Sequence, residues 1–178
     1  MNQIRQILRT ATAAHHERVD AAFAGFDLND VASYRAFLSA HARVLPGAED
    51  VIRLPWDGWT RRAPLLLHDL SDLGAMSKPV PRNLYIVEPA AQWGCLYVLE
   101  GSRLGGSVLA GRLGAGLPRR YLSAGHADGS WRTFLAALAA AADPADAVWI
   151  ETAVAAARSV FESFEDAARI ELGHMRGR

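Results

Sequence analysis

The chain has 178 residues, 51% of them hydrophobic, and its 19 basic and 19 acidic side chains cancel to zero formal charge. That length suits one domain with a sizeable core, and the balanced charge removes the electrostatic case for nucleic acid. A single cysteine, Cys95, excludes an internal disulfide framework and fits a reducing compartment. With no signal peptide and no apolar run of about 18 residues, the expected location is the cytoplasm.

In chain order, Ile4, Leu8, Ala11, Val19, Ala22 and Phe23 recur at three- and four-residue spacing and predict an amphipathic helix over 2–23. Asp30 reads as the N-cap of a second helix over about 31–45, ended by Pro46-Gly47. Residues 54–59 read as a loop or turn, and a third helix is predicted over about 58–73 through Leu65, Leu66, Leu67 and Leu70. Prolines 79 and 81 mark an irregular connection over 78–83. A glycine-bearing helix follows over about 89–113 and frays into 114–118, with a loop at 125–129 and a helix at 130–142. Asp143-Pro144 is a stop and restart before a long last helix over about 145–172. Neither a hairpin signature nor a repeat interrupts this pattern. The expected architecture is an all-α, single-domain bundle of six to eight helices, acting as a monomer.

The segment from Tyr97 to Gly106 holds three glycines inside a helical pattern. Each interior Gly costs a helix roughly 1 kcal/mol relative to Ala, so an offsetting role is expected. Gly101 and Gly105 share one face and leave a bare strip that admits either another helix or a flat ligand. Tyr97, Gly101 and Gly105 form an i, i+4, i+8 row, with Ser102 and Gly106 beside it. A phenol on one edge, a hydroxyl on the other and bare carbonyls between suit a flat ligand with a polar centre. Glu100 and Arg103 lie off this row and are expected to face solvent or pair at i, i+3.

The first helix carries His15 and His16, with Asp20 one turn after His16 and Arg9 two turns before it. A carboxylate at that spacing can hold one imidazole nitrogen and leave the other for a metal. A histidine on an amphipathic helix is more often a packed residue, and Arg9 reads equally well as a solvated cation. Periodicity leaves both histidines open. His15 falls in the middle of the apolar stripe and His16 at its edge, which favours His16 as a ligand. A di-iron site needs Glu-x-x-His motifs on two different helices, and the chain lacks such a pair, as it lacks a nucleophile elbow, a P-loop and a dinucleotide fingerprint. Phe161 and Phe164 read as core or as the wall of a pocket. The five tryptophans read as core.

The run from Leu8 to His16, the run from Tyr97 to Gly106 and the Phe161/Phe164 helix, in this order and spacing, resemble the bacterial biliverdin-producing heme oxygenases. The likeness is to the small type that supplies chromophore to bacteriophytochromes. It implies an enzyme that holds heme, as both cofactor and substrate, between the first helix and the glycine-bearing helix. It implies His16 as the iron ligand, Arg9 on one propionate with Tyr97 nearby, and Arg132 of the penultimate helix on the other propionate. Gly101, Ser102 and Gly105 would face the oxygen-binding side, and Phe164 would line the cofactor. The reaction implied consumes O2 and yields biliverdin, CO and ferrous iron. Its electrons would come from a separate donor of ferredoxin or reductase type, and a bacteriophytochrome would receive the product. Animal members carry an aspartate after the first distal glycine, where this chain has Ser102, so the proton route has to differ. Two other readings stand beside this one: a heme carrier or sensor without ring opening, and a thiaminase-like relative in which the glycines serve helix packing.

Overall fold

The computed structural model describes residues 3–54, 56, 58–75, 86–126, 130–142 and 146–177. The irregular stretch expected at 78–83, the end of the 125–129 loop and the Asp143-Pro144 break lie outside them. The described residues form seven α-helices and no strand: α1 (Gln3–Phe23), α2 (Val31–Asp50), α3 (Ala63–Asp72), α4 (Pro89–Ala110), α5 (Arg120–Ser123), α6 (Ser130–Ala142) and α7 (Ala147–Arg176). None of these helices is long and apolar enough to cross a membrane.

Asp30 caps α2 as expected, its Oδ1 accepting from the Ser33 amide at 2.7 Å. The helix does not stop at Pro46, however. It continues to Asp50 with Leu45, Ala48 and Glu49 buried around the proline. An interior proline removes one backbone bond, and burial of this last turn offsets the loss. The turn also starts the next helix. Glu49 accepts from the backbone amides of Arg62 at 2.7 Å and Ala63 at 3.0 Å, the orphan donors at the head of α3. That places the start of α3 at Ala63 and not at 58. The preceding residues turn back on themselves, with Trp56 and Trp59 amides bonding the carbonyls of Leu54 and Trp56.

The four-residue α5 has no periodic signal to announce it. It is held from outside: Asp69 of α3 accepts from the Tyr121 amide at 2.9 Å and from Arg120 at 3.0 Å, and the Tyr34 hydroxyl donates to the Pro118 carbonyl at 2.7 Å. The glycine helix ends at Ala110, three residues earlier than expected, and α7 runs on to Arg176.

α7 is the post of the bundle. α1, α2 and α4 all pack along it, while α1 and α4 scarcely touch each other. Leu96, Leu99, Phe134, Leu138, Ala157 and Val160 fill the interior around this post.

Candidate active site

Gly94, Gly101 and Gly105 fall within roughly a 40° arc of α4, because seven and eleven residues each return a helix close to its starting angle. At Gly94 this face is closed: a Cβ there would collide with the backbone carbonyl of Ala153 on α7. Further along it is open. Among the described residues, a Cβ at Gly101 would meet the Trp131 ring edge at 3.9 Å, and one at Gly105 would meet nothing within 4 Å. Gly106, on the neighbouring row, backs onto the Leu122 carbonyl at 3.4 Å. Helix packing therefore explains Gly94, which the sequence reading did not single out. It does not explain the Gly101/Gly105 strip. That strip is a shelf of backbone, half-buried at Gly101 beside Trp131 of α6 and exposed at Gly105.

The two histidines of α1 part company. His15 turns to α7, its side chain 17% exposed, with Nε2 3.3 Å from Glu162 and a buried Nδ1 that has no partner among the described residues. His16 stands open at 62% exposure, with Nδ1 3.0 Å from the Asp20 carboxylate, a neighbour that favours the proton on Nδ1 and leaves the Nε2 lone pair for a metal. Phe161 of α7 presents to the His16 ring at 5.7 Å, edge to face. Among the described residues no cluster of three His, Cys, Asp or Glu could hold a metal ion. A metal on His16 thus takes its other bonds from a ligand.

α1 and α4 communicate at one end of this space through charge. Burial raises the Tyr97 phenol, and the Arg5 and Arg9 guanidiniums act against that rise, so both cations lie within electrostatic reach of the strip. Arg5 is a cation the sequence reading passed over.

Behind Ser102 stands a buried cation from α3's head. Arg62, 3% exposed, donates through Nη2 to the Ser102 hydroxyl at 2.6 Å and to the Leu99 carbonyl at 2.9 Å. Ser102 itself donates to the same carbonyl at 2.7 Å. The guanidinium lies 5.3 Å over the Tyr121 ring, and burial lowers its pKa from the usual arginine value. Beyond it, His41 of α2 is enclosed by the rings of Phe23, Phe37, Tyr121 and Phe164. Desolvation brings its pKa down to about 4.

Glu100 and Arg103 do pair at 2.8 Å, but they are buried instead of facing solvent. The far side of α4 is covered by two loops: Arg103 donates to Thr60 and to the Ala124 carbonyl, and Glu100 holds His126 Nε2 at 2.7 Å.

The comparisons with known proteins agree on one family. A heme oxygenase from Xanthomonas campestris is 35% identical, over 76% of this chain and 88% of the relative. The chain belongs to the heme oxygenase family. The structure also matches the crystal structure of the NO- and CO-bound heme oxygenase from Neisseria meningitidis, with a TM-score of 0.77 and 25% identity over 96% of this chain and 92% of that one. No family model matches the sequence. The chain is thus an enzyme with the all-α heme oxygenase fold.

Within that fold the expected residues separate into groups. Gly101 and Gly105 lie in one row of α4 with the half-buried Tyr97, Ser102 is exposed beside that row, and the Arg9 charge is felt at Tyr97. Phe161, and not Phe164, is the ring beside His16; Phe164 packs into the aromatic cluster around His41. Arg132 is exposed on α6, one residue after the tryptophan that borders the strip. Arg62, His41 and His126 were missed because each reaches α4 or its surroundings from a distant segment, which no local spacing reveals.

Proposed function

We propose that this heme oxygenase binds heme in the space between α1 and the glycine strip of α4 and opens the ring to biliverdin, CO and ferrous iron. The observation that carries this reading is the open face at Gly101 and Gly105 on a helix whose same face is closed by α7 at Gly94. A strip of bare backbone on α4 and an open imidazole on α1 together suit a flat metal macrocycle. When bound, heme supplies the iron that activates dioxygen and the ring that is oxidised.

The chain's residues have distinct parts in this. His16, oriented by Asp20, ligates the iron as a neutral imidazole. Arg9, with Arg5 beside it, pairs with the propionate end, and Arg132 is the candidate for the second propionate. Gly101 and Gly105 hold no side chain over the reacting face, so a small ligand there meets backbone. Ser102 relays a proton from solvent water in place of a carboxylic acid, regaining one from water for each it passes on. Its hydroxyl donates to the Leu99 carbonyl, but Arg62 Nη2 bonds that carbonyl too. The carbonyl therefore keeps a partner when Ser102 turns its O–H toward the ligand. The same guanidinium steadies the Ser102 oxygen as its proton leaves.

Electrons come from a separate protein of ferredoxin or reductase type, and a bacteriophytochrome is the proposed recipient of the product. The test is an absorption spectrum with one equivalent of hemin, followed with reductant and oxygen. A Soret band that gives way to the broad red absorption of biliverdin is the expected course. A Soret band that persists would reduce the protein to a carrier or sensor, and no band at all would remove heme from the account.

A further inference from the structure

Trp131, at the start of α6, is the residue that limits where a flat ligand can lie on α4. Its Cη2 is 3.9 Å from the Cβ position of Gly101, whereas nothing among the described residues stands within 4 Å of that position at Gly105. Its ring centroid is 6.2 Å from that of Tyr97. The indole thus bounds the strip at the Tyr97–Gly101 end and leaves the Gly105 end open.

The indole is itself held on two sides. It stacks on Phe134 at 5.4 Å and 26°, a ring with no exposed surface. On another side the His126 ring lies 5.8 Å away, tethered by its Nε2–H to Glu100 at 2.7 Å. Glu100 is 1% exposed and pinned in turn by Arg103. A wall braced by a largely enclosed, hydrogen-bonded histidine exceeds what core filling requires, since Trp131 is only partly buried.

We propose that Trp131 is the end-stop that seats the heme along the glycine strip, and so selects which edge of the ring faces Ser102, with His126 as its positioning residue. The proposal rests on the heme reading above. Sliding or turning of a near-symmetric disc costs little on a featureless shelf, so one fixed obstacle is enough to choose among orientations. Removing it leaves iron ligation by His16 intact and releases the in-plane choice.

The test is proton NMR of the cyanide-inhibited hemin complex, whose hyperfine-shifted ring methyl resonances report in-plane seating without turnover. The biliverdin isomer composition after turnover is read alongside. Wild type should give one dominant set of methyl resonances and one dominant isomer. Trp131→Ala should keep the Soret band, add a second set and mix the isomers, with hemin affinity down about three- to tenfold for the lost ring contact. Trp131→Phe, which keeps the stack on Phe134 but lacks the outer ring edge, should do the same and carries the test if the alanine variant does not fold. His126→Ala should shift the ratio in the same direction and His126→Gln, which can still donate to Glu100, should restore it. Unchanged seating in the Trp131 variants would overturn the end-stop while leaving heme binding in place. Absence of a Soret band in wild type would overturn the heme reading first, so the two failures are distinguishable.

Discussion

The two halves of α4 carry the same residue on the same face and use it in opposite ways. At Gly94 the missing side chain lets the Ala153 carbonyl of α7 come against the helix backbone. At Gly101 and Gly105, two and three turns later, a side chain would meet only the Trp131 ring edge at Gly101 and, among the described residues, nothing within 4 Å at Gly105. α1 and α4 make little contact with each other. A glycine in a helix has a cost wherever it sits. What offsets it is an intramolecular contact in one half and, by our reading, a ligand in the other.

The contrast can be broken from the packed side first. Gly94→Ala forces a Cβ into a backbone carbonyl that cannot rotate away, and it should destabilise the fold by about 3 kcal/mol or more, measured as a drop in urea midpoint. An unchanged midpoint would mean that α4 and α7 separate easily and that the halves do not differ. Acid should probe the aromatic core behind the site. His41 has its pKa lowered to about 4 from 6.5, so between these values the unfolded chain binds a proton that the folded one refuses. Its contribution is fully present above pH 6.5 and is lost as pH falls toward 4, up to about 3 kcal/mol. Urea titrations from about pH 7 to about pH 4.5 should show that slope, and His41→Leu should flatten it.

Smaller and of opposite sign, Gly105→Ala should raise stability by up to about 1 kcal/mol, because a methyl has room there and helix propensity improves. The same substitution should weaken hemin binding in a Soret titration. A variant that is both more stable and equally tight would put the strip outside the site. Least of all in stability is Ser102→Ala. Arg62 keeps its bond to the Leu99 carbonyl, so stability should change by less than about 1 kcal/mol, while ring opening slows at unchanged hemin affinity. Single-turnover kinetics under one electron donor would separate that outcome from a binding defect.

Helix positions were legible because burial on one side imposes a 3.6-residue period, and the strip was legible because three glycines in ten residues violate that pattern's propensities. The wheel also separated the two histidines by packing: His15 at the stripe's centre lies against α7, and His16 at its edge stays open. What escaped was everything decided across the chain. Pro46 reads as a stop until the burial of Glu49 is known. Glu100 and Arg103 read as surface until the loops around Thr60 and His126 are laid over them. Trp131 looks like any core tryptophan, and its position against Gly101 is a fact of packing between α4 and α6. Spacing along one helix gives the face of a residue but not what lies opposite.

Arg62 has one further consequence. Its amide is tied to Glu49 and its guanidinium to Ser102, so a carboxylate on α2 sets the reach of a group that ends at the ligand's side of α4. A scan of substitutions across this protein would then record loss of turnover at position 49, a residue with no exposed surface, and a map coloured by sensitivity would draw the active site larger than the ligand's own footprint.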